Sequence, residues 1–187
     1  MPTIVHGFDW PDRVVVGTVG EPGARTFYLQ ARAGRRVVSV GIEKEQSALL
    51  AEKIEEILDE LMNAEGNPVS VPAETPIELV DNDPLEQPVD AEFRTGVMSL
   101  GWDPSTAQIV IEAYPLVVTE DDDSSPFDPD PVEVEPAEML MVRIPVGTAR
   151  AFAKRTLEVV GAGRPICPVC GSPIDPEGHV HTLPGDL

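Results

Sequence analysis

The architecture follows from residues 26–64, which read TFYLQARAGRRVVSVGIEKEQSALLAEKIEEILDELMNA. Phe27, Leu29 and Ala31 alternate with polar neighbours, and a second alternating segment follows the turn at Ala33-Gly34, so the pattern predicts two antiparallel strands. From residue 43 to about residue 64, Leu and Ile recur at helical spacing with Glu and Lys between them, which predicts an amphipathic helix. A hairpin followed by such a helix indicates a sheet with one face covered.

The strand pattern continues on both sides of this stretch. We predict strands at residues 3–8, 13–19, 26–32, 36–42, 91–100, 108–118 and 139–146. A second helix is predicted at residues 148–160, with Thr148 as its N-cap. Because the turns between the first four strands are short, they favour an antiparallel meander. The sequence therefore predicts a two-layer α+β fold with two helices and a largely antiparallel sheet of about seven strands.

Proline marks where this regular pattern breaks. Five prolines between residues 65 and 90 predict a long surface crossover, with one edge strand around residues 77–80. Residues 119–137 are acidic and carry further prolines, so they are predicted to form a loop. The predicted organisation is one α+β domain over residues 1–163, followed by a small zinc-knuckle-like tail over residues 164–187.

Charge excludes several classes of partner. The chain has 13 Lys and Arg against 33 Asp and Glu, a formal net charge of −20. This composition argues against binding to nucleic acid or to an anionic membrane, since both need clustered cations. The first residues show no secretory signal, no segment approaches the length of an apolar membrane helix, and the chain has only two cysteines. We therefore expect a cytoplasmic protein.

The tail carries the sharpest chemical signal. Cys167-Pro-Val-Cys170-Gly is the spacing with which two thiolates bind one zinc ion, and His179 and His181 follow closely enough to complete a tetrahedral set. Two thiolates and two imidazoles would form a closed, structural Zn²⁺ site without an open position for water. The alternatives are a redox-active dithiol and a tail without metal.

Arginines at the two ends of the chain predict a second kind of site. If the fold brings the ends together, an anion such as phosphate could be held by the forked guanidinium donors of Arg25, Arg32, Arg36, Arg143, Arg150 and Arg155. Ion pairing with the many surface acids is the competing interpretation, and it is the one that we favour.

Three further groups are better explained by local structure. His6, Asp9 and Asp12 could supply a base or half of a metal site, but Asp around Pro11 is typical of a turn. The glycines of residues 17–23 resemble a phosphate loop, yet no helix start follows them, so a hairpin turn is favoured. The acids of residues 120–130 lack the spacing of a calcium loop, which favours a solvated loop.

The chain also resembles a known family along nearly its whole length. The matching segments are Gly17-Thr-Val-Gly20, Pro22-Gly23, residues 25–32, residues 38–45 and the tail pattern Cys-Pro-x-Cys-Gly-x-Pro-x-Asp-Pro-x-Gly-His. They resemble a family of conserved actinobacterial proteins of unknown function. The resemblance implies that Cys167, Cys170 and His179 match the family tail directly. His181 occupies the position of a family cysteine and matches it only as another zinc ligand.

Function is predicted from the residue patterns and from the family resemblance together. The resemblance implies that the gene lies beside genes for a phosphoglycerate-mutase-like histidine phosphatase and a kinase-like protein, and it supplies no catalytic residues. We therefore predict a zinc-binding, non-enzymatic interaction or regulatory module that acts through a protein partner. The alternative is an enzyme or binder that holds a small phosphorylated metabolite in an arginine-lined site.

Overall fold

The computed structural model describes residues 3–21, 23–116 and 136–161. Its elements are β1 (Ile4–Asp9), β2 (Arg13–Val19), β3 (Thr26–Ala33), β4 (Arg36–Ile42), α1 (Lys44–Asn63), a short 3-10 helix (Ile77–Leu79), β5 (Ala91–Asp103), β6 (Gln108–Pro115), β7 (Glu138–Pro145) and α2 (Val146–Gly161). The predicted α+β fold, with a seven-stranded, mostly antiparallel sheet and two helices, is confirmed. No helix within these described ranges is long and apolar enough to cross a membrane.

The sheet has the strand order β1-β7-β6-β5-β4-β3-β2. The predicted meander is correct for β2, β3 and β4, which pair antiparallel in sequence. It is wrong for β1, which pairs in parallel with β7 instead of with β2. β4 also pairs in parallel with β5, as the long crossover between them allows.

The sheet is strongly curled where β1 joins β2. Only Trp10, Pro11 and Asp12 connect these two edge strands, and such a connection spans at most about 14 Å. The edges of a flat seven-stranded sheet would lie about 29 Å apart. The connection also bonds to both sides, because the Trp10 amide donates to the Arg143 carbonyl at 3.1 Å and the Asp12 amide to the Arg32 carbonyl at 2.8 Å.

One hydrophobic core joins the sheet to both helices. Alternate residues of each strand point to it, including Val14, Leu29 and Val40, and α1 contributes Ile54 and Leu58. α1 packs against α2 and β5, and α2 packs against β2, β6 and β7. The helices therefore form a second layer on the core-bearing face, as predicted.

The two helices begin close to their predicted positions. At the start of α1, the Glu43 amide donates to the Gln46 side chain at 2.8 Å, which satisfies one of the free amides of the first turn. Thr148 was expected to cap α2 but lies inside it, because the helix begins at Val146 directly after β7. Pro145 permits this direct start, since its missing N–H is not needed immediately before a helix.

Residues 64–90, the crossover segment, wrap around the free edge of β2. The segment starts on the core side, where Val71 is buried, and ends on the opposite face, where Leu85 is buried against the backbone of Gly17. The edge strand predicted at residues 77–80 is wrong. Two local hydrogen bonds, from Leu79 to Pro76 and from Val80 to Ile77, form a 3-10 turn there instead.

Candidate functional site

The four predicted zinc ligands lie outside the described residues. Cys167, Cys170, His179 and His181 belong to residues 162–187. Their metal binding therefore stays a prediction from spacing. Most of the acidic loop predicted at residues 119–137 also lies outside the described ranges, which omit residues 117–135.

Two of the six candidate arginines form separate ion-pair networks. Arg150 is 4% exposed and links the two helices, since it bonds to Glu55 and, at 3.0 Å, to Asp59. Its Nε also donates to the Pro72 carbonyl at 3.0 Å, which fixes the start of the crossover segment. Arg143 pairs with Asp103 near the end of β5.

Asp103 accepts several hydrogen bonds at that end of the sheet. Hydrogen bonds from Ser105 and from Arg143 hold the pKa of Asp103 well below its ordinary value. Arg143 and Asp103 therefore already bond to each other and to neighbouring side chains.

Arg25 and Arg36 contact aromatic rings and backbone carbonyls. Arg25 lies 5.0 Å from the centre of the Phe27 ring and donates to the Val159 carbonyl at 3.1 Å. Arg36 lies 4.2 Å from the centre of the Phe8 ring and donates to a carbonyl of β1 at 2.9 Å. These contacts are cation–π interactions combined with backbone hydrogen bonds.

Arg32 and Arg155 belong to one shared network with Arg13. Arg32 Nε lies 3.4 Å from a Glu86 carboxylate oxygen, and Arg13 lies 3.7 Å from the same oxygen. Arg155 Nη1 lies 3.2 Å from Asp81 Oδ1. Only these two of the six candidate arginines share a network within the described residues, and its guanidinium groups already face carboxylates.

Asp81, on the crossover segment, is the centre of this network. Arg13 approaches it with two donors, Nε to Oδ2 at 2.6 Å and Nη2 to Oδ1 at 3.0 Å. This forked geometry is the strong form of an arginine–carboxylate pair. Arg155 donates in addition to the Asp81 carbonyl at 2.6 Å and to the Val16 carbonyl of edge strand β2 at 3.1 Å. The network therefore attaches the crossover segment to both α2 and β2.

The network shifts the pKa values of all three groups. The hydrogen bond from Arg13 lowers the pKa of Asp81, and the reciprocal hydrogen bond raises the pKa of Arg13. Burial lowers the pKa of Arg155, since desolvation disfavours its charged form. The Asp81 carboxylate thus remains ionised well into the acid range.

A cleft opens on both sides of this network, and we call it the crossover cleft. It consists of two adjoining cavities of about 410 and 610 Å³ that share Asp12, Arg13, Asp81 and Asp83. Five acids and three arginines line the two cavities together: Asp12, Glu78, Asp81, Asp83 and Glu86, with Arg13, Arg32 and Arg155. With more acids than arginines, the cleft offers no surplus of positive charge to an anion.

Comparison with known proteins identifies the family. The model of a family described as "Protein of unknown function (DUF3090)" matches residues 6–181.

This chain belongs to the DUF3090 family.

The predicted resemblance to a family of unknown function is therefore confirmed. No curated protein and no solved structure matches the chain. Actinobacterial origin and the neighbouring genes stay predictions of the resemblance.

The three groups assigned to local structure can be placed in this DUF3090 fold. Asp12 accepts a hydrogen bond from the Gly34 amide at 2.6 Å, and Asp9 accepts one from Gln108 at 2.9 Å. Neither bond is local, because Gly34 and Gln108 lie 22 and 99 positions away in sequence, so the local backbone bonds expected around Pro11 are not what holds these two carboxylates. His6 does not join them, because its Nε2 lies 3.2 Å from a Glu138 oxygen. Gly20 has a φ of 108°, as a tight turn between β2 and β3 requires.

Sequence reasoning missed Arg13 and Asp81 as the centre of the cleft. The two residues are 68 positions apart, so no local spacing connects them. No signal in the sequence singles out Asp81, because a charged residue in a proline-rich surface crossover is ordinarily solvated by water.

Proposed function

We propose that this DUF3090 chain is a zinc-binding, non-enzymatic interaction module that docks a protein partner at the crossover cleft. Zinc would be held by the tail, and the partner by the α+β domain. Two independent lines support these two parts of the proposal, so each has an experiment of its own.

The zinc part rests on the tail's residue types and spacing. Cys167 and Cys170 are separated by two residues and followed by glycine, and His179 and His181 complete a set of four ligands. A closed set of this kind supplies folding free energy to a segment that is too short to form a hydrophobic core of its own.

The interaction part rests on one observation in the described domain. Ile77 is 88% exposed, although it lies in an ordered 3-10 turn and directly precedes the cleft-lining residues 78–83. Leu79 and Val80 beside it are also exposed. An apolar group held at the border of a charged cleft is the arrangement of an interface anchor with a polar rim.

The chemistry of the cleft describes the partner. Five acids against three arginines favour a segment with basic residues, since such a segment would pair with the surplus carboxylates. An apolar side chain on the same segment would pack on Ile77. The phosphatase-like and kinase-like proteins implied by the family resemblance are the first two candidates to test.

Zinc binding is tested by removing one thiolate. After dialysis against a weak chelator we expect the wild-type chain to hold about one zinc more than Cys170→Ser, because three remaining tail ligands no longer form a closed tetrahedral set. Mass spectrometry on protein purified without a histidine tag measures the metal. Ser172→Ala, two residues along the tail, is the matched control and should keep the zinc. Folded, reduced wild-type protein without zinc would contradict this part of the proposal.

Partner binding is tested at Ile77. We expect Ile77→Asp to reduce capture of the partner by at least about tenfold, because a charge at a desolvated anchor position opposes binding. Immobilised wild-type and variant chains are compared for capture of each purified candidate partner. Val97→Asp is the matched control, since Val97 is 69% exposed on β5, away from the cleft lining. Equal capture by the two variants, or no capture by the wild-type chain, would contradict the cleft as the docking site.

A further inference from the structure

Three potential metal ligands converge on the sheet, far from the zinc-binding tail in sequence. They are His6 on β1, Glu138 on β7 and Glu92 on β5, and their ligand atoms all lie within 4.8 Å of one another. His6 and Glu138 are part-buried, and their nearest atoms are 3.2 Å apart. His6 lies two positions from Phe8 on β1, and Glu138 lies two positions from Leu140 on β7, so each shares the core-bearing face of its strand.

The pairing of β4 with β5 has a register shift at Glu92, the third member of this group. Between Ser39 and Gly41 on β4 the chain advances by two residues, while the paired strand advances by three, from Ala91 to Arg94. One extra residue therefore lies opposite Val40, whose side chain belongs to the core. Bulges of this kind re-aim a side chain and are frequent next to functional sites.

The distances fit a shared ion. Two ligands bound to one zinc at about 2.0–2.1 Å lie about 3.0–3.4 Å from each other, depending on the coordination geometry. The His6–Glu138 separation of 3.2 Å falls in this range. The Glu92 carboxylate lies within 4.8 Å of both other ligand atoms, so a side-chain movement would bring it into the same coordination sphere.

The electrostatics also favour a cation. Two carboxylates lie close together on a chain with a net charge of −20, and the ion pairs among the described residues include Glu138 with His6 but none with Glu92.

We propose that His6, Glu92 and Glu138 form a second metal site that binds a divalent first-row transition metal. One imidazole nitrogen and two carboxylate oxygens are ligands that zinc, cobalt and manganese accept. Three protein ligands leave coordination positions open, so this site differs from the closed four-ligand set proposed for the tail. The proposal does not rest on the tail or on the crossover cleft.

The experiment uses Co²⁺ as a spectroscopic metal and the double variant Cys167→Ser, Cys170→Ser as the background, so that no tail thiolate reports. This full-length background protein is titrated with Co²⁺ while the visible absorption of nitrogen- and oxygen-ligated cobalt is recorded. We expect one saturable site. Adding Glu138→Gln, which removes a charge with little change of shape, should weaken Co²⁺ binding by at least about tenfold.

Glu112→Gln is the matched control, because Glu112 is a part-buried carboxylate on the neighbouring strand β6 and is not a member of the group. We expect this variant to change Co²⁺ affinity by less than about twofold. Glu92→Gln, at an exposed position, provides the second test if Glu138→Gln impairs folding, which circular dichroism would reveal. Equal affinities in the Glu92, Glu138 and Glu112 variants would overturn the proposal and indicate diffuse binding to surface acids.

Discussion

Replacing Asp81 by Asn lowers the free energy of unfolding by about 3 kcal/mol at pH 7, because two largely buried guanidinium groups lose their closest counter-charge and Arg13 keeps only Glu86, at 3.7 Å. The side chains of Arg13 and Arg155 are only 9% and 11% exposed. The substitution preserves the shape of the side chain, so the lost stability reports the charge rather than a cavity. Urea unfolding followed by circular dichroism measures it.

The pH dependence of the Asp81 effect distinguishes charge from packing. Since Arg13 lowers the pKa of Asp81 in the folded state, the carboxylate contributes its full stability only above its unfolded pKa, about 3.9. That contribution is lost as the pH falls through the lower, folded pKa. The difference between wild type and Asp81→Asn should therefore be constant near neutrality and shrink progressively below about pH 4.

Asp83 supplies the control for this experiment. It lies two residues further along the same segment, and its backbone carbonyl, not its side chain, accepts the hydrogen bond from Arg13. Asp83→Asn should change the free energy of unfolding by less than about 0.5 kcal/mol. A loss of stability in Asp81→Asn that persists unchanged at pH 3 would show that Asp81 does not act through its charge.

The sequence predicts strands and helices well wherever a local pattern defines them. The bounds of β2 and β4 agree with the predicted ranges, because turn-forming residues in the neighbouring connections mark where these strands begin or end. The helix predicted from residue 43 to about residue 64 is confirmed as Lys44–Asn63, because its apolar residues recur with a period of about 3.6 residues. Thr148 shows the limit, since a plausible cap residue cannot by itself fix where a helix starts.

Contacts between distant segments could not be predicted in this way. The pairing of β1 with β7 joins segments more than 130 residues apart, and a short β1–β2 connection favoured the wrong neighbour. The arginines follow the same rule. Their residue type favoured ion pairing over anion binding, but only the fold could decide that Arg150 joins two helices while Arg155 fixes the crossover segment.

Leu85 gives the second large expected effect. Leu85→Ala should lower the free energy of unfolding by about 3 kcal/mol, since it removes most of a side chain that is only 5% exposed and leaves a cavity over β2. Because Leu85 also lines the smaller cavity of the crossover cleft, the variant should in addition lower partner capture. Thermal and urea unfolding measure the first effect. Leu79→Ala, in the same segment but exposed, is the control and should cost less than about 1 kcal/mol.

The packing of Leu85 on Gly17 can be tested because the effect of Gly17→Ala on the free energy of unfolding should change sign when Leu85 is removed. A Cβ atom at Gly17 would lie 2.6 Å from both Cγ and Cδ2 of Leu85, so Gly17→Ala alone should destabilise the wild-type chain by about 1–3 kcal/mol. In the Leu85→Ala background the obstructing atoms are gone and the new methyl group fills part of the cavity, so the same substitution should stabilise. The double-mutant cycle would then give a favourable coupling energy of about 1–3 kcal/mol. Additive effects would mean that Leu85 does not pack on Gly17.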